Sequence, residues 1–348
     1  MPVVSRRTFA GGLLASALVP GGSALGQPND AGSVAIIDTP NNAAKVASKL
    51  AAQNVKTVVR FFARKPQPGL REKVMASDGN MIDGVREPTI LIRNGLSIVS
   101  LYQYRNDLPE KFQKGLDDTG SAKAEVAADA KAALDQARLV GQPEGSAIYF
   151  GVDFNVNRAV VDAVLEYFRA INQTVGSHYA IGIYGNGFVN RILRQEKLVS
   201  YNWISASRSH AETVDFYNSG QWHLFQNQVD RRWFGGKCSD GLDVDTNLQN
   251  PGVSGIGAWG AGEIDASRNQ KIFDQRRFAI RATAVLQEGA GGQNCKRDNR
   301  VPRNANVRIL AQSGEWSSVD IDEDGNPDGR IKVSDLTPSL ATMPPWGS

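Results

Sequence analysis

The sequence predicts an α/β protein, a (β/α)8 TIM-like barrel followed by a small all-β barrel. Three observations predict it. Apolar runs of strand length alternate with helical patterns between Ser33 and Gly252. Three of those runs end in a carboxylate: Ser33-Val-Ala-Ile-Ile-Asp38, Ala147-Ile-Tyr-Phe-Gly-Val-Asp153 and Gly241-Leu-Asp-Val-Asp245. Beyond Gln270 the helical spacing gives way to short strands separated by Gly, Asn, Asp and Pro.

The expected barrel strands are Val34–Ile37, Thr57–Phe62, Leu96–Leu101, Ala147–Val152, Ala180–Tyr184, Asn202–Ala206, Trp222–Gln226 and Leu242–Val244. Ala122–Val140 is rich in Ala, Lys, Glu and Leu. It reads as a helix stopped by Gly141, with Pro143 just beyond. Val160, Val161, Val164, Leu165, Phe168, Ile171 and Val175 follow the spacing of a buried helix face, with Asn157 as N-cap. Strands apolar on both faces and alternating with helices imply a parallel sheet covered by helices. Eight candidates over roughly 220 residues match a closed barrel. A doubly wound open sheet is the rival, but no Gly-rich phosphate loop follows the first strand. Residues 33–252 therefore form the barrel domain and 253–269 a Gly/Ala-rich linker. Residues 270–340 form the β domain, with strands at Ala282–Leu286, Asn306–Leu310, Trp316–Ile321 and Arg330–Val333. The tail Met343–Ser348 reads as loose.

The chain has 348 residues, 41% of them hydrophobic and 22% charged, which suits one large and one small domain. A formal charge of +3 supplies no strongly basic face, so nucleic acid is not an expected partner. Residues 1–26 read as an export signal. Arg6-Arg7 precedes a mild apolar run through Val19, and a small-residue cleavage site ends at Gly26. The paired arginines match the twin-arginine pattern, and a general secretory signal is the alternative. The expected location is outside the cytoplasm, in the periplasm, the cell envelope or the extracellular space, with no membrane span after cleavage. Cys238 and Cys295 are either a disulfide or two free thiols. With His178, His210 and His223 they show no metal-ligand spacing, so no metal site is expected.

Strand alternation puts Asp243 and Asp245 on one face. Asp38, Asp153, Asp245 and Asp243 are the candidate catalytic carboxylates, because an acid at the C-terminal tip of a parallel strand stands where barrel enzymes keep their chemistry. Cutting a glycosidic bond needs one protonated and one ionised carboxyl, about 5 Å apart for retention and roughly 6.5–9.5 Å for inversion. Helix capping or pairing with basic groups is the structural alternative for each acid. Tyr102, Tyr184, Trp203, Trp222 and Gln226 are the candidate sugar-binding residues, since rings stack on sugars and an amide bonds hydroxyls; core packing is the alternative for the rings.

These residues also carry a resemblance. Leu139-Val-Gly-Gln-Pro143, Ala147-Ile-Tyr-Phe-Gly-Val-Asp153, Gly182-Ile-Tyr-Gly185, Trp222-His-Leu-Phe-Gln226 and Leu242-Asp-Val-Asp-Thr-Asn247 together resemble glycoside-hydrolase-like barrel domains related to family-25 lysozymes. The resemblance covers roughly Ser33 to Gly252. It implies a muramidase-type barrel acting on peptidoglycan without metal or organic cofactor. Asp38 then stands as first-strand acid, Asp153 as fourth-strand acid, and Asp243 or Asp245 as last-strand acid. One departure matters. Those lysozymes carry an Asp-x-Glu pair at the fourth strand, and here either Gly151 or Asn155 stands where one acid belongs. A catalytically inactive glycan-binding protein on the same barrel is therefore the alternative.

Ala282–Leu286, Val301–Leu310, Ser313–Val319 and Gly329–Val333 with Leu336 resemble a bacterial SH3-like domain, which implies a wall-binding module. Within it, Asp320–Gly329 begins like a calcium loop but has Ile331 where a bidentate Glu is needed, so an acidic hairpin turn is the preferred reading.

Overall fold

The computed structural model describes residues 34–64, 74–113, 121–233, 242–262, 264–279, 283–285, 300–302, 305–321, 327–338 and 340. The expected signal, both cysteines and the C-terminal tail lie outside the described residues.

Eight strands close into a barrel: β1 (Ile36–Asp38), β2 (Thr57–Phe62), β3 (Ser97–Tyr102), β4 (Ala147–Gly151), β5 (Ala180–Gly185), β6 (Tyr201–Ile204), β7 (Leu224–Trp233) and β8 (Leu242–Gln249). β1 through β7 run parallel, each bonded to the next. β8 is antiparallel to both β7 and β1 and completes the ring. This corrects the expectation of eight parallel strands. β7 runs on to Trp233, well past the expected end at Gln226. Too little chain then remains before Leu242 for a crossover, which takes about a dozen residues or more.

Helices follow the first six strands. They are α1 (Ala47–Ala52), α2 (Glu87–Arg93), α3 (Pro109–Gln113), α4 (Ser121–Leu139), α5 (Val161–Val175), α6 (Gly187–Gln195) and α7 (Thr213–Asn218). α4 ends where expected, with Gly141 at φ +72°. α5 starts later than expected. Asn157 caps the preceding turn through Ala159 N–H, and Val160 is the helix N-cap.

Alternation divides the core. Outward residues such as Ile98, Ile148, Phe150, Ile181 and Ile183 pack against Leu134, Val164, Phe168 and Ile171 of the helices. Inward residues Ile36, Val59, Val99, Leu101, Tyr149, Tyr184 and Trp203 fill the barrel itself. The stretch expected to link the domains packs closely on the barrel. β9 (Trp259–Gly260) pairs antiparallel with β3. Tyr149 Oη donates to Ile256 O at 2.9 Å, and Trp259 Nε1 donates to Ser100 Oγ at 3.1 Å.

After α8 (Ala266–Asp274), capped by Asp265, the chain forms β10 (Arg276–Ala279), β11 (Thr283–Val285), β12 (Arg300–Pro302), β13 (Asn306–Ser313), β14 (Trp316–Asp320), β15 (Gly329–Lys332) and β16 (Leu336–Thr337). A five-stranded antiparallel sheet has the order β15-β14-β13-β10-β16, and β11 pairs with β12. The loop weighed as a calcium site is only partly described; in it the Asp328 carboxylate accepts the Ile321 N–H.

The small sheet takes the place of a barrel helix. No helix connects β7 to β8 among the described residues, and the outward face of β7 meets β10 and β13. Phe225 packs against Phe278 with ring centroids 6.4 Å apart, and Tyr217 meets the same ring at 5.6 Å. Asn227 Nδ2 donates to Asn306 Oδ1 at 3.0 Å, and Gln228 Nε2 to Asn306 O at 3.2 Å. Phe278 therefore packs from outside the barrel yet belongs to the same buried cluster as the inward residues of its strands. Phe278→Ala is expected to cost about 3–5 kcal/mol. In urea the variant should lose stability in a single transition shared by barrel and sheet. A separate early transition of the sheet would show that the two fold independently.

Candidate active site

The site grows from the end of β1. Ile36 points into the barrel, so Asp38, two residues on, does too. The turn after Asp38 is fixed from outside the sheet. Arg60 of β2 donates from Nη1 to Thr39 O at 2.6 Å, and from Nε and Nη2 to the two oxygens of Glu87 at 2.6 and 2.9 Å. Glu87 also accepts Ala43 N–H at 2.8 Å. Both side chains are fully buried. Such a pair tolerates burial only because geometry and extra hydrogen bonds satisfy each charge. Thr39 Oγ1 in turn donates to Asp243 O at 2.5 Å, and Asp243 N–H donates to Asn41 Oδ1. The tip of β1 is thereby tied to the start of β8.

Antiparallel pairing puts Asp245 directly opposite Asp38. Asp245 thus lies within its strand rather than at a C-terminal tip, contrary to the sequence expectation. It reaches the same rim because β8 runs the other way. Gln226 of β7 joins the two acids. Its Nε2 donates to Asp245 Oδ2 at 2.9 Å and to Asp38 Oδ2 at 3.2 Å. The ladder shifts register between Gln226 and Gln228, and such a bulge re-aims side chains. Here Gln226 faces the acids while Asn227 reaches outward to Asn306. Asn247 adds a bond from Nδ2 to Asp38 Oδ2 at 2.7 Å. Sequence reasoning did not assign Asn247, although its position two residues beyond Asp245 was the available signal.

Burial pushes the Asp38 carboxyl well above its ordinary 3.8. The Asp245 charge pushes the same way, the Asn247 and Gln226 amides oppose it, and Asp153 adds a smaller upward effect. Like charges this close disfavour double ionisation, so a proton resides on the pair more readily than on a solvated acid.

Asp153 follows β4 and is exposed at the rim. Its N–H donates to Asn106 O at 2.8 Å. Local desolvation raises its pKa above 3.8, and Asp107 adds to the shift. The fourth-strand departure now has a structural form. A Cβ at Gly151 would lie 2.7 Å from Asn106 Nδ2, so the Asn106 amide occupies the space a side chain there would need. Asn155 is engaged in bridging loops, its Oδ1 accepting from Asn186 Nδ2 and Ala211 N–H.

Tyr184 connects the group. Its hydroxyl donates to Gln226 Oε1 at 2.9 Å. Burial raises its pKa well above 10.0, and the charges of Asp153, Asp38 and Asp245 each raise it further. All three acids therefore act on one phenol. Trp203 is fully buried beneath it, with ring centroids 4.6 Å apart, and forms floor rather than surface. The structure does not bring Tyr102 or Trp222 to this rim. Tyr102 falls on the outward face of β3 and donates to Asp129 Oδ1 at 2.7 Å beneath α4. Trp222 precedes β7 at the far end, donates to Tyr217 O and packs on that ring. Asp243 is partly exposed near the start of β8, with its backbone bonds as described above. Among the described residues no group of three His, Cys, Asp or Glu is placed to hold a metal ion. No described helix is long and apolar enough to cross a membrane.

With this geometry established, comparisons place the chain among known proteins. A family model described as "Rv2525c-like, glycoside hydrolase-like domain" matches residues 48–248, more than half of the chain. The matched span contains Asp153, Gln226 and Asp245 and begins after Asp38. The uncharacterized protein YbfG of Bacillus subtilis (strain 168) is 26% identical over 128 residues. That match covers 34% of this chain and only 16% of YbfG. The Tat-secreted protein Rv2525c of Mycobacterium tuberculosis, solved with L-tartrate, is 23% identical with a TM-score of 0.48, covering 65% of this chain and 98% of that one. The catalytic domain of endolysin ply40 from bacteriophage P40 of Listeria monocytogenes is 11% identical with a TM-score of 0.38, covering 68% and 95%.

The raised pKa of Asp38 has a consequence for stability. Its contribution is complete below the ordinary value of 3.8 and is lost as pH rises through the raised folded value. Asp38→Asn cannot ionise. Thermal melts should therefore show the variant gaining on the parent as pH rises from the ordinary value of 3.8 through the raised folded value. A difference in Tm that stays constant over that range would contradict the assignment of a raised pKa.

Proposed function

We propose that this chain, which belongs to the Rv2525c-like, glycoside hydrolase-like family, acts on a cell-wall glycan, peptidoglycan or a related polysaccharide, at the rim shared by Asp38, Asp153 and Asp245. The observation that carries the reading is the pairing of Asp38 with Asp245, bridged by Gln226 and backed by Tyr184, with Asp153 just beyond the end of the neighbouring β4. Asp153 is the proton donor. It is exposed to a ligand, and its raised pKa keeps it protonated further into the acid-to-neutral range than a free aspartate. Asp245, partly exposed at the mouth, is the carboxylate that faces the developing positive charge of the sugar. Asp38 is buried behind it and, through Gln226, fixes its position. Tyr184 and Gln226 are spent on this alignment, so their first task is to hold the acids rather than to grip sugar. No step calls for a metal or organic cofactor.

Export belongs to the same proposal and rests on the Arg6-Arg7 signal pattern in the sequence. The small antiparallel sheet, read as an SH3-like module, would keep the barrel against the wall. A second reading has its own observation: of the two positions where the missing lysozyme acid could stand, Gly151 has the Asn106 amide against it and Asn155 is bonded to Asn186 and Ala211, and a barrel lacking that acid would bind glycan without cutting it.

One assay separates the two. Full-length protein freed of its signal is incubated with purified peptidoglycan, and new reducing ends are counted beside Asp153→Asn. Loss of a general acid is expected to lower the rate by about 10²–10⁴-fold. The parent rate should also fall as pH rises through the Asp153 pKa. Reducing ends at background for both proteins, with both still co-sedimenting with the wall, would replace catalysis by binding alone.

A further inference from the structure

The segment between β3 and α3 lies against the end of β4, where Asp153 begins its loop, and it is held from outside the barrel. Lys111 of α3 meets Asp129 of α4 there, with Nζ 2.8 Å from Asp129 Oδ2 and both side chains buried. Lys111 Nζ also donates to Tyr104 O at 2.6 Å. Asp129 accepts the hydroxyls of Tyr102 at 2.7 Å and Tyr167 at 3.2 Å. Arg64 Nε stands 3.6 Å from Asp129 Oδ1, and Arg64 Nη2 lies 3.8 Å from Glu125 nearer the surface.

No step of the proposed chemistry uses this pair, yet it is costly to bury. Burial pushes the Lys111 ammonium below its ordinary 10.5, and the Asp129 charge opposes that shift. Well-packed apolar side chains of similar volume often serve stability as well as a buried ion pair does. What an apolar residue could not do is donate back along the chain. Lys111 reaches the carbonyl of a residue seven positions earlier, so its side chain closes Tyr104–Lys111 into a loop.

That loop is strained and grips Asp153. Arg105 has φ +50°, where a β-carbon is disfavoured, and such a residue persists only where its surroundings over-determine it. Next to it, Asn106 accepts the Asp153 N–H on its carbonyl at 2.8 Å and lays its amide against Gly151. Burial is the larger cause of the raised Asp153 pKa, and the Asp107 charge adds to it. On the other side of Lys111, Phe112 packs against Phe154 with ring centroids 5.5 Å apart. The chain flanking Lys111 therefore holds Asp153 at its own amide and at the residue that follows it. Of the groups facing Asp153 across the mouth, Asp38 and Tyr184 both feel its charge.

We propose that Lys111 and Asp129 are a positioning pair for Asp153: by closing the Tyr104–Lys111 segment they fix the Asn106 carbonyl, the Asp107 charge and the Phe112 ring around the Asp153 loop. Only the effect on rate rests on the reading of Asp153 as proton donor. Carbon-13 titration of the aspartate carboxyls in the full chain tests the pair, beside Lys111→Met/Asp129→Asn. Methionine keeps the length of the side chain without its charge, and asparagine keeps an acceptor for the two tyrosine hydroxyls. The Asp153 midpoint is expected to fall toward its ordinary 3.8, while the Asp38 midpoint stays at its parent value. A merely structural pair would lower the melting temperature and move neither midpoint. Lys111→Met alone, which leaves Asp129 to Arg64, gives the same readout if the double variant melts early. Hydrogen exchange in the parent needs no variant: the Asp153 N–H is expected to be protected as the Asp129 N–H within α4 is. On peptidoglycan, kcat of the double variant should fall by up to about 10²-fold with KM unchanged, as misplacement of a catalytic group does. A parent that releases no reducing ends removes the proton-donor reading and leaves the titration to decide the positioning pair. An Asp153 midpoint unchanged in a folded variant, equal movement of Asp38, or an Asp153 N–H that exchanges as an exposed loop does would overturn the proposal.

Discussion

The antiparallel seam between β8 and β1 is the constraint on which the site depends. In an all-parallel barrel each strand offers its C-terminal end to one rim, and two acids in neighbouring strands meet only if both stand at those ends. Here β8 enters at the rim and descends, so Asp245 pairs across from Asp38 although it sits within its strand. The cost of placing two carboxylates side by side is met by donors from the adjoining strands, Gln226 and Asn247. The same seam explains why the turn after β1 is braced so heavily. Arg60 and Glu87 fix Thr39, and Thr39 holds Asp243.

The seam also creates an exposed flank. A strand that returns without a crossover helix leaves the outward face of its partner uncovered, and apolar residues there must be buried by something else. The sheet of β10 and β13 does this with Phe278 and Asn306. It thereby becomes part of the barrel's own core rather than an appendage on a flexible tether. α8 follows from the same arrangement: it joins barrel to sheet.

Much of this was legible in the residues. Alternation and helical spacing placed nearly every barrel strand and the two long helices. The acids Asp38, Asp153 and Asp245 stood out as carboxylates ending apolar runs, and Tyr184 and Gln226 as a ring and an amide near strand ends. Tyr102 and Trp222 failed for a definite reason. A ring near a strand end has two possible faces, and local sequence does not say which one looks into the barrel. Tyr102 belongs to the outward series with Ile98, and Trp222 to the far end of β7. Asn106 was invisible because its role is to fill the space above Gly151 from another loop.

The sequence by itself determined periodicity, and hence the alternation of strands and helices, the existence of a closed core and the short list of acids. Those properties are local, set by side-chain spacing along one segment. Only the tertiary structure decided the direction of β8, the pairing of Asp38 with Asp245, the sharing of Gln226 between them and the burial of the small sheet against β7. These depend on register between segments some two hundred residues apart, as the Asp38–Asn247 bond shows. Such register is chosen by the packing of the whole barrel, which no single stretch of chain encodes.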